Sequence, residues 1–137
     1  MRRVFALLLV LVVFLVGCSN DVPDDDPDVL VVYYFHGPGC PSCDAQYEFM
    51  SDLESRFDGV EVRVFDVSFE ADAALMERLA LAYEERIITP PATFIGGESV
   101  VGFGSSETTG LLIDSIIERC LSRGCKNPSS VLRDYEN

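Results

Sequence analysis

Val29-Leu30-Val31-Val32-Tyr33-Tyr34-Phe35-His36-Gly37-Pro38-Gly39-Cys40-Pro41-Ser42-Cys43 is the stretch on which the fold turns. Val29 to Phe35 is an unbroken apolar run rich in β-branched and aromatic residues, the pattern of a strand covered on both faces. Gly37-Pro38-Gly39 breaks it. A helical stretch then opens near Cys40, with Phe49, Met50, Leu53 and Phe57 spaced by three and four along one face. A Cys-x-x-Cys pair at a helix start sets two sulfurs close enough to bridge, and the unpaired N–H groups there stabilise a thiolate on the first. Pro41 in the first turn costs no hydrogen bond, because that N–H would be unpaired anyway. Cys40 is therefore the expected nucleophile, exposed and with a lowered pKa, and Cys43 the buried resolving thiol.

Downstream, Gly59 ends the helix, and Val60, Val62 and Val64 alternate with Glu61 and Arg63, as in a strand with one solvated face. A sheet edge suits it. Ser68 is the expected N-cap of a second helix, with Glu70 and Asp72 in its first turn and Leu75, Leu79, Ala82 and Tyr83 buried. Ala92-Thr93-Phe94-Ile95, Gly96-Gly97 and Ser99 to Phe103 read as a hairpin. Ser106 opens a last helix with Ile113, Ile116, Ile117 and Cys120 on one face, closed by Gly124. The expected class is α/β: a βαβ unit followed by a ββα unit, forming a four-stranded mixed sheet flanked by helices. Residues 29–125 make one domain, and 126–137 a C-terminal tail.

Upstream, Met1-Arg2-Arg3 precedes thirteen apolar residues, Val4 to Val16. That run is shorter than the roughly 20 residues a spanning helix needs and has the length of a secretory leader's apolar core. Leu15-Val16-Gly17-Cys18 resembles the lipobox of lipoprotein signal peptides. The resemblance implies a signal peptide over residues 1–17, cleavage after Gly17, and lipidation of Cys18. Residues 18–28 are then an acidic tether, expected to stay solvated, and the domain is extracytoplasmic and lipid-anchored to a cell membrane.

The formal charge is −13, and loss of Arg2 and Arg3 with the leader takes it to about −15. With one lysine in the chain, phosphates would go unneutralised, which argues against a nucleic-acid partner.

From about Val29 to Leu121 the chain resembles the thioredoxin superfamily in its minimal, glutaredoxin-like form. The residues that carry the resemblance are Tyr33-Tyr34-Phe35, Cys40-Pro41-Ser42-Cys43 and Pro90-Pro91-Ala92-Thr93-Phe94-Ile95-Gly96-Gly97. It implies a thioredoxin-like fold and a cis-proline facing the Cys-x-x-Cys, with Pro91 the candidate and Pro90 the fallback. It also implies a substrate groove shaped by Pro90, Pro91, Gly39, Pro41 and Ser42. Three positions depart from the superfamily's thioredoxins. Tyr34 stands where they bury an acid, Gly39 where they carry Trp, and Pro90 has no N–H to offer a substrate.

His36, the only histidine, lies four residues before Cys40; it either lowers the thiolate's pKa or simply ends a strand. Setting Cys18 aside, four cysteines remain, and pairing Cys40 with Cys43 and Cys120 with Cys125 needs the least chain movement. Cys120 and Cys125 read as a structural clip, with a second redox pair relaying electrons, or a free core thiol at Cys120, as alternatives. The expected function is thiol–disulfide exchange with protein substrates and a membrane redox partner, by a monomer needing no cofactor and no metal. A thiolate site for copper or zinc, drawing on Cys120 and Cys125, and a redox-silent binding module are the competing expectations.

Overall fold

The computed structural model describes residues 21–137; the leader at 1–17 and the lipidation candidate Cys18 lie outside the described residues. Strands β1 (Leu30–His36), β2 (Val60–Asp66), β3 (Ala92–Ile95) and β4 (Glu98–Val101) form one mixed sheet in the order β2-β1-β3-β4. β1 runs parallel to β2 and antiparallel to β3, and β3 and β4 form the hairpin. The helices are α1 (Pro41–Ser51), the short α2 (Leu53–Arg56), α3 (Glu70–Ala82), α4 (Leu111–Arg123) and α5 (Pro128–Glu136). Among the described residues, no helix is long and apolar enough to cross a membrane.

β1 is central, and its side chains divide by parity, as a pleated strand requires. Val32 and Tyr34 pack with Met50, Leu53, Ile113, Ile116 and Ile117, from the α1–α2 and α4 side. Val31, Tyr33 and Phe35 pack with Leu75, Leu79 and Leu132, from α3 and α5 on the other side. Both faces are covered, which is why the run needed no polar alternation. β2 takes an edge of the sheet, where Glu61 and Arg63 keep contact with water.

Several details depart from the sequence expectations. The first helical stretch breaks at Asp52, and Phe57 follows in extended backbone, part-buried rather than on a helix face. Phe69, not Ser68, is the N-cap of α3; Ser68 instead gives its N–H to the Asp66 carboxylate, and the Asp72 carboxylate accepts from the Asp66 N–H. The final helix is entered through a π-helical turn, Ser106–Gly110, capped reciprocally by Ser105 and Thr108. Gly110 lets that turn lie on the Phe49 ring, where a β-carbon would stand 2.8 Å from a ring atom.

The two ends of the domain are more ordered than composition suggests. The C-terminal tail, residues 126–137, contains a packed helix: Pro128 starts α5, which buries Leu132 and is tied to α3 by a two-pronged Arg78–Glu136 pair, both bonds at 2.7 Å. The acidic segment is not fully solvated either, because Asp25 is buried against Tyr33 and Arg63. Paired charge and hydrogen bonds offset the desolvation that its composition alone would forbid.

Candidate active site

The site stands at the C-terminal end of β1. Gly39 has φ +65, a conformation that favours glycine, and turns the chain into α1. Cys40 is the N-cap of that helix, in extended backbone, with Pro41 following in the first turn. Its Sγ accepts from the Cys43 N–H at 3.2 Å, so the sulfur itself caps the helix. An N-cap is normally an oxygen; here the exposed backbone donors, and the positive end of the helix dipole, act on sulfur. Asp44, in the same first turn, adds a negative charge nearby.

Cys40 and Cys43 are joined as a disulfide, with Cα atoms 5.2 Å apart. Cys43 is 2 % exposed while Cys40 is half-buried. The Ser42 hydroxyl lies 3.6 Å from Cys40 Sγ, and the Pro90 carbonyl oxygen 3.9 Å from it. The Pro90–Pro91 peptide bond is cis, Pro91 is buried, and the Pro91 carbonyl accepts from the Gly102 N–H at 2.7 Å. The bond precedes β3, so the register of β3 on β1 brings the two prolines beside the sulfur. A β-carbon on Gly37 would meet the Val67 side chain at 3.2 Å and be in ordinary contact with the Pro90 ring at 3.5 Å.

Beneath the sulfurs lies a polar layer that the sequence did not announce. The buried Tyr34 hydroxyl donates to the Cys43 carbonyl oxygen at 2.6 Å, and burial pushes its pKa up to about 12. Gln46, on α1, donates to the Thr93 hydroxyl at 2.6 Å, leaving its buried Oε1 without a protein partner. Gln46 stands three residues past Cys43, on the same helix face, and that spacing was the available signal. His36 lies between the rings of Tyr34 and Tyr47, with centroids 6.0 and 6.4 Å away. Its strand partner is Asp66, whose carboxyl is held below the usual range chiefly by the Ser68 N–H.

Cys120 and Cys125 are also joined, with Cα atoms 5.0 Å apart, across the Gly124 turn at the end of α4. They lie at the other end of the sheet, against Gly96, where a β-carbon would stand 2.8 Å from Cys120 Sγ. Gly96 is six residues of extended chain from Pro90, about 20 Å. The two pairs therefore do not exchange directly, and they do not assemble into a four-thiolate metal site. The free-thiol alternative for Cys120 is likewise replaced by the bond to Cys125. A polar groove lined by Glu48, Asp52, Arg56 and Asp114 is separate from the sulfurs.

The sequence matches no protein-family model and no curated protein.

Proposed function

We propose that the chain is a thiol–disulfide oxidoreductase of thioredoxin-like fold, anchored outside the cytoplasm through a lipidated Cys18. The observation that carries this reading is Cys40 Sγ capping α1 through the Cys43 N–H at 3.2 Å, while its partner sulfur is sealed from solvent. The strand order β2-β1-β3-β4 and the Pro90 carbonyl beside Cys40 support it.

In the reducing direction, the Cys40 thiolate attacks one sulfur of a substrate disulfide. The substrate S–S bond breaks, a mixed disulfide forms on Cys40, and one substrate thiolate leaves. Cys43 then attacks Cys40 Sγ, its proton passing to the second leaving thiolate. The substrate gains two electrons and the protein ends as the Cys40–Cys43 disulfide; the oxidising direction is the reverse. Pro90 offers a peptide a carbonyl acceptor beside Cys40, and both prolines offer shape but no N–H; the Pro91 carbonyl is already bonded to the Gly102 N–H.

The test is the Cys43→Ser variant. Mixed disulfides between Cys40 and partner proteins are expected to accumulate in cells and to vanish when Cys40 is also replaced. Alkylation of reduced Cys40 against pH should show a midpoint below the roughly 8.5 of a free thiol. A Cys40 that titrates like free cysteine and traps nothing would rule the reading out.

A further inference from the structure

The acidic segment ahead of β1 is fastened to the domain. The Asp25 side chain is 1 % exposed and accepts from the Tyr33 hydroxyl at 2.8 Å, the Arg63 guanidinium at 2.7 Å and the Ser129 N–H at 3.3 Å. Those donors come from β1, β2 and α5, so one carboxylate binds three elements to the segment. Arg63 also reaches the Asp24 carbonyl at 3.2 Å, and Asn127 donates to the carbonyls of Asp26 and Val29 at 3.0 and 2.8 Å. Further upstream, Val22 packs on the Tyr33 layer, and Asp21 and Pro23 share a cavity with Phe65, Ala71, Asp72 and Arg78.

These contacts set a direction. From the start of β1 the segment doubles back past Arg63 to the level of Phe65 and the first turns of α3. Phe65 is in register with Phe35, and Asp66 with His36, four residues from Cys40. The chain therefore leaves the folded body toward the end of the sheet that carries Cys40, not the end where β1 begins.

We propose that residues 21–28 are a strap that holds the Cys40 end of the domain toward the membrane. Its exchange partners are then cysteines in the membrane-proximal segments of membrane proteins. This rests on the lipid anchor and dithiol chemistry proposed above. Three residues from Cys18 to Asp21 span at most about 11 Å. From Asp21 to Cys40 is one helix–sheet layer and a few residues of strand, about 20 Å. Cys40 thus works within about 30 Å of the lipid surface. A free tether from Cys18 to Leu30 would instead allow about 40 Å before the domain began, and would turn the opposite end of β1 to the membrane. The net charge, about −15 without the leader, keeps the body from adhering to anionic lipid, so the strap sets the reach.

The test uses the full chain carrying Cys43→Ser, processed and acylated in cells, then reconstituted in phosphatidylcholine vesicles. Transmembrane peptides in the same vesicles carry one cysteine, activated as a mixed disulfide with thionitrobenzoate, on rigid spacers of graded length. Cys40 attacks the peptide sulfur, the activated bond breaks, thionitrobenzoate leaves as a coloured thiolate, and the Cys40–peptide disulfide remains. Capture is expected to fall about tenfold once the cysteine stands beyond the strap's reach. A flexible Gly-Ser spacer inserted after Asn20, which leaves every packed residue in place, should extend the profile outward. Asp25→Asn should do the same by loosening the strap. Capture that ignores distance, or a profile that the insertion leaves unchanged, overturns the strap while capture of a soluble activated peptide keeps the chemistry. Failure to capture even the soluble peptide overturns the dithiol reading, failure to float with vesicles overturns the anchor, and the strap falls with either.

Discussion

The Tyr34 hydroxyl hydrogen-bonds the Cys43 carbonyl oxygen at 2.6 Å, tying the middle of β1 to the first turn of α1. The contact is to backbone, not sulfur, so its expected role is to position the turn. Tyr34→Phe keeps the ring and loses one buried hydrogen bond, and should cost about 1 kcal/mol in denaturant unfolding. The alkylation midpoint of Cys40 should stay put. A midpoint moved by a full pH unit would instead give the phenol a direct electrostatic role.

Alkaline pH should unfold the domain. Burial raises Tyr34 to about 12, and it also lifts Tyr33, where the Asp25 carboxylate adds to the effect, and Tyr83 above the usual range. Each group is easier to ionise in the unfolded chain, whose tyrosines titrate near about 10. The stability they contribute is complete below that value and is lost as pH climbs toward the folded values. Unfolding free energy should fall from about pH 10 to 12, with phenolate absorbance rising together with loss of circular dichroism.

Gly96→Ala should be among the more damaging single changes. Gly96 has φ +58, and its added β-carbon would meet Cys120 Sγ at 2.8 Å and Cys125 Cβ at 3.0 Å. Two penalties combine, and a loss of about 2 kcal/mol or more in chemical denaturation is expected. Gly97→Ala, with nothing near its β-carbon, is the control and should cost far less.

Replacing Cys120 and Cys125 together by Ser should lower stability by about 2 kcal/mol, the value for so short a closed loop. Exchange by Cys40 should keep its rate, because the clip lies at the far end of the sheet. A lost exchange rate in a variant that remains folded would revive a redox role for the second pair.

How much of this was legible depended on distance along the chain. The Val29–Phe35 strand, the glycine break and Cys40 at a helix start are local, and each residue type states its own backbone preference. Gly124 and the Gly96-Gly97 turn were readable for the same reason. Ser68 is not the cap because the helix starts one residue later than expected, with Phe69 at the cap, and the Asp66 carboxylate holds the Ser68 N–H in the turn before it. Asp25 looked solvated within its acidic run, and the donors that neutralise it, Tyr33, Arg63 and Ser129, arrive only with folding. α5 is short and mostly polar, though Asn127 before Pro128 was a usable start signal. Gln46 and Thr93 meet across helix and sheet, a pairing no periodicity foretells.

Each bridge in this protein joins a buried residue to a more exposed one: Cys43 and Cys120 are 2 % and 4 % exposed, while Cys40 is half-buried and Cys125 exposed; in the second bridge both sulfurs also pack against Gly96. An incoming thiolate thus has a single landing place, Cys40, and the departing atom is the enclosed Cys43 sulfur. Conjugates recovered from cells and mapped by mass spectrometry should fall on position 40 and spare 43, 120 and 125, whatever the partner's own sequence.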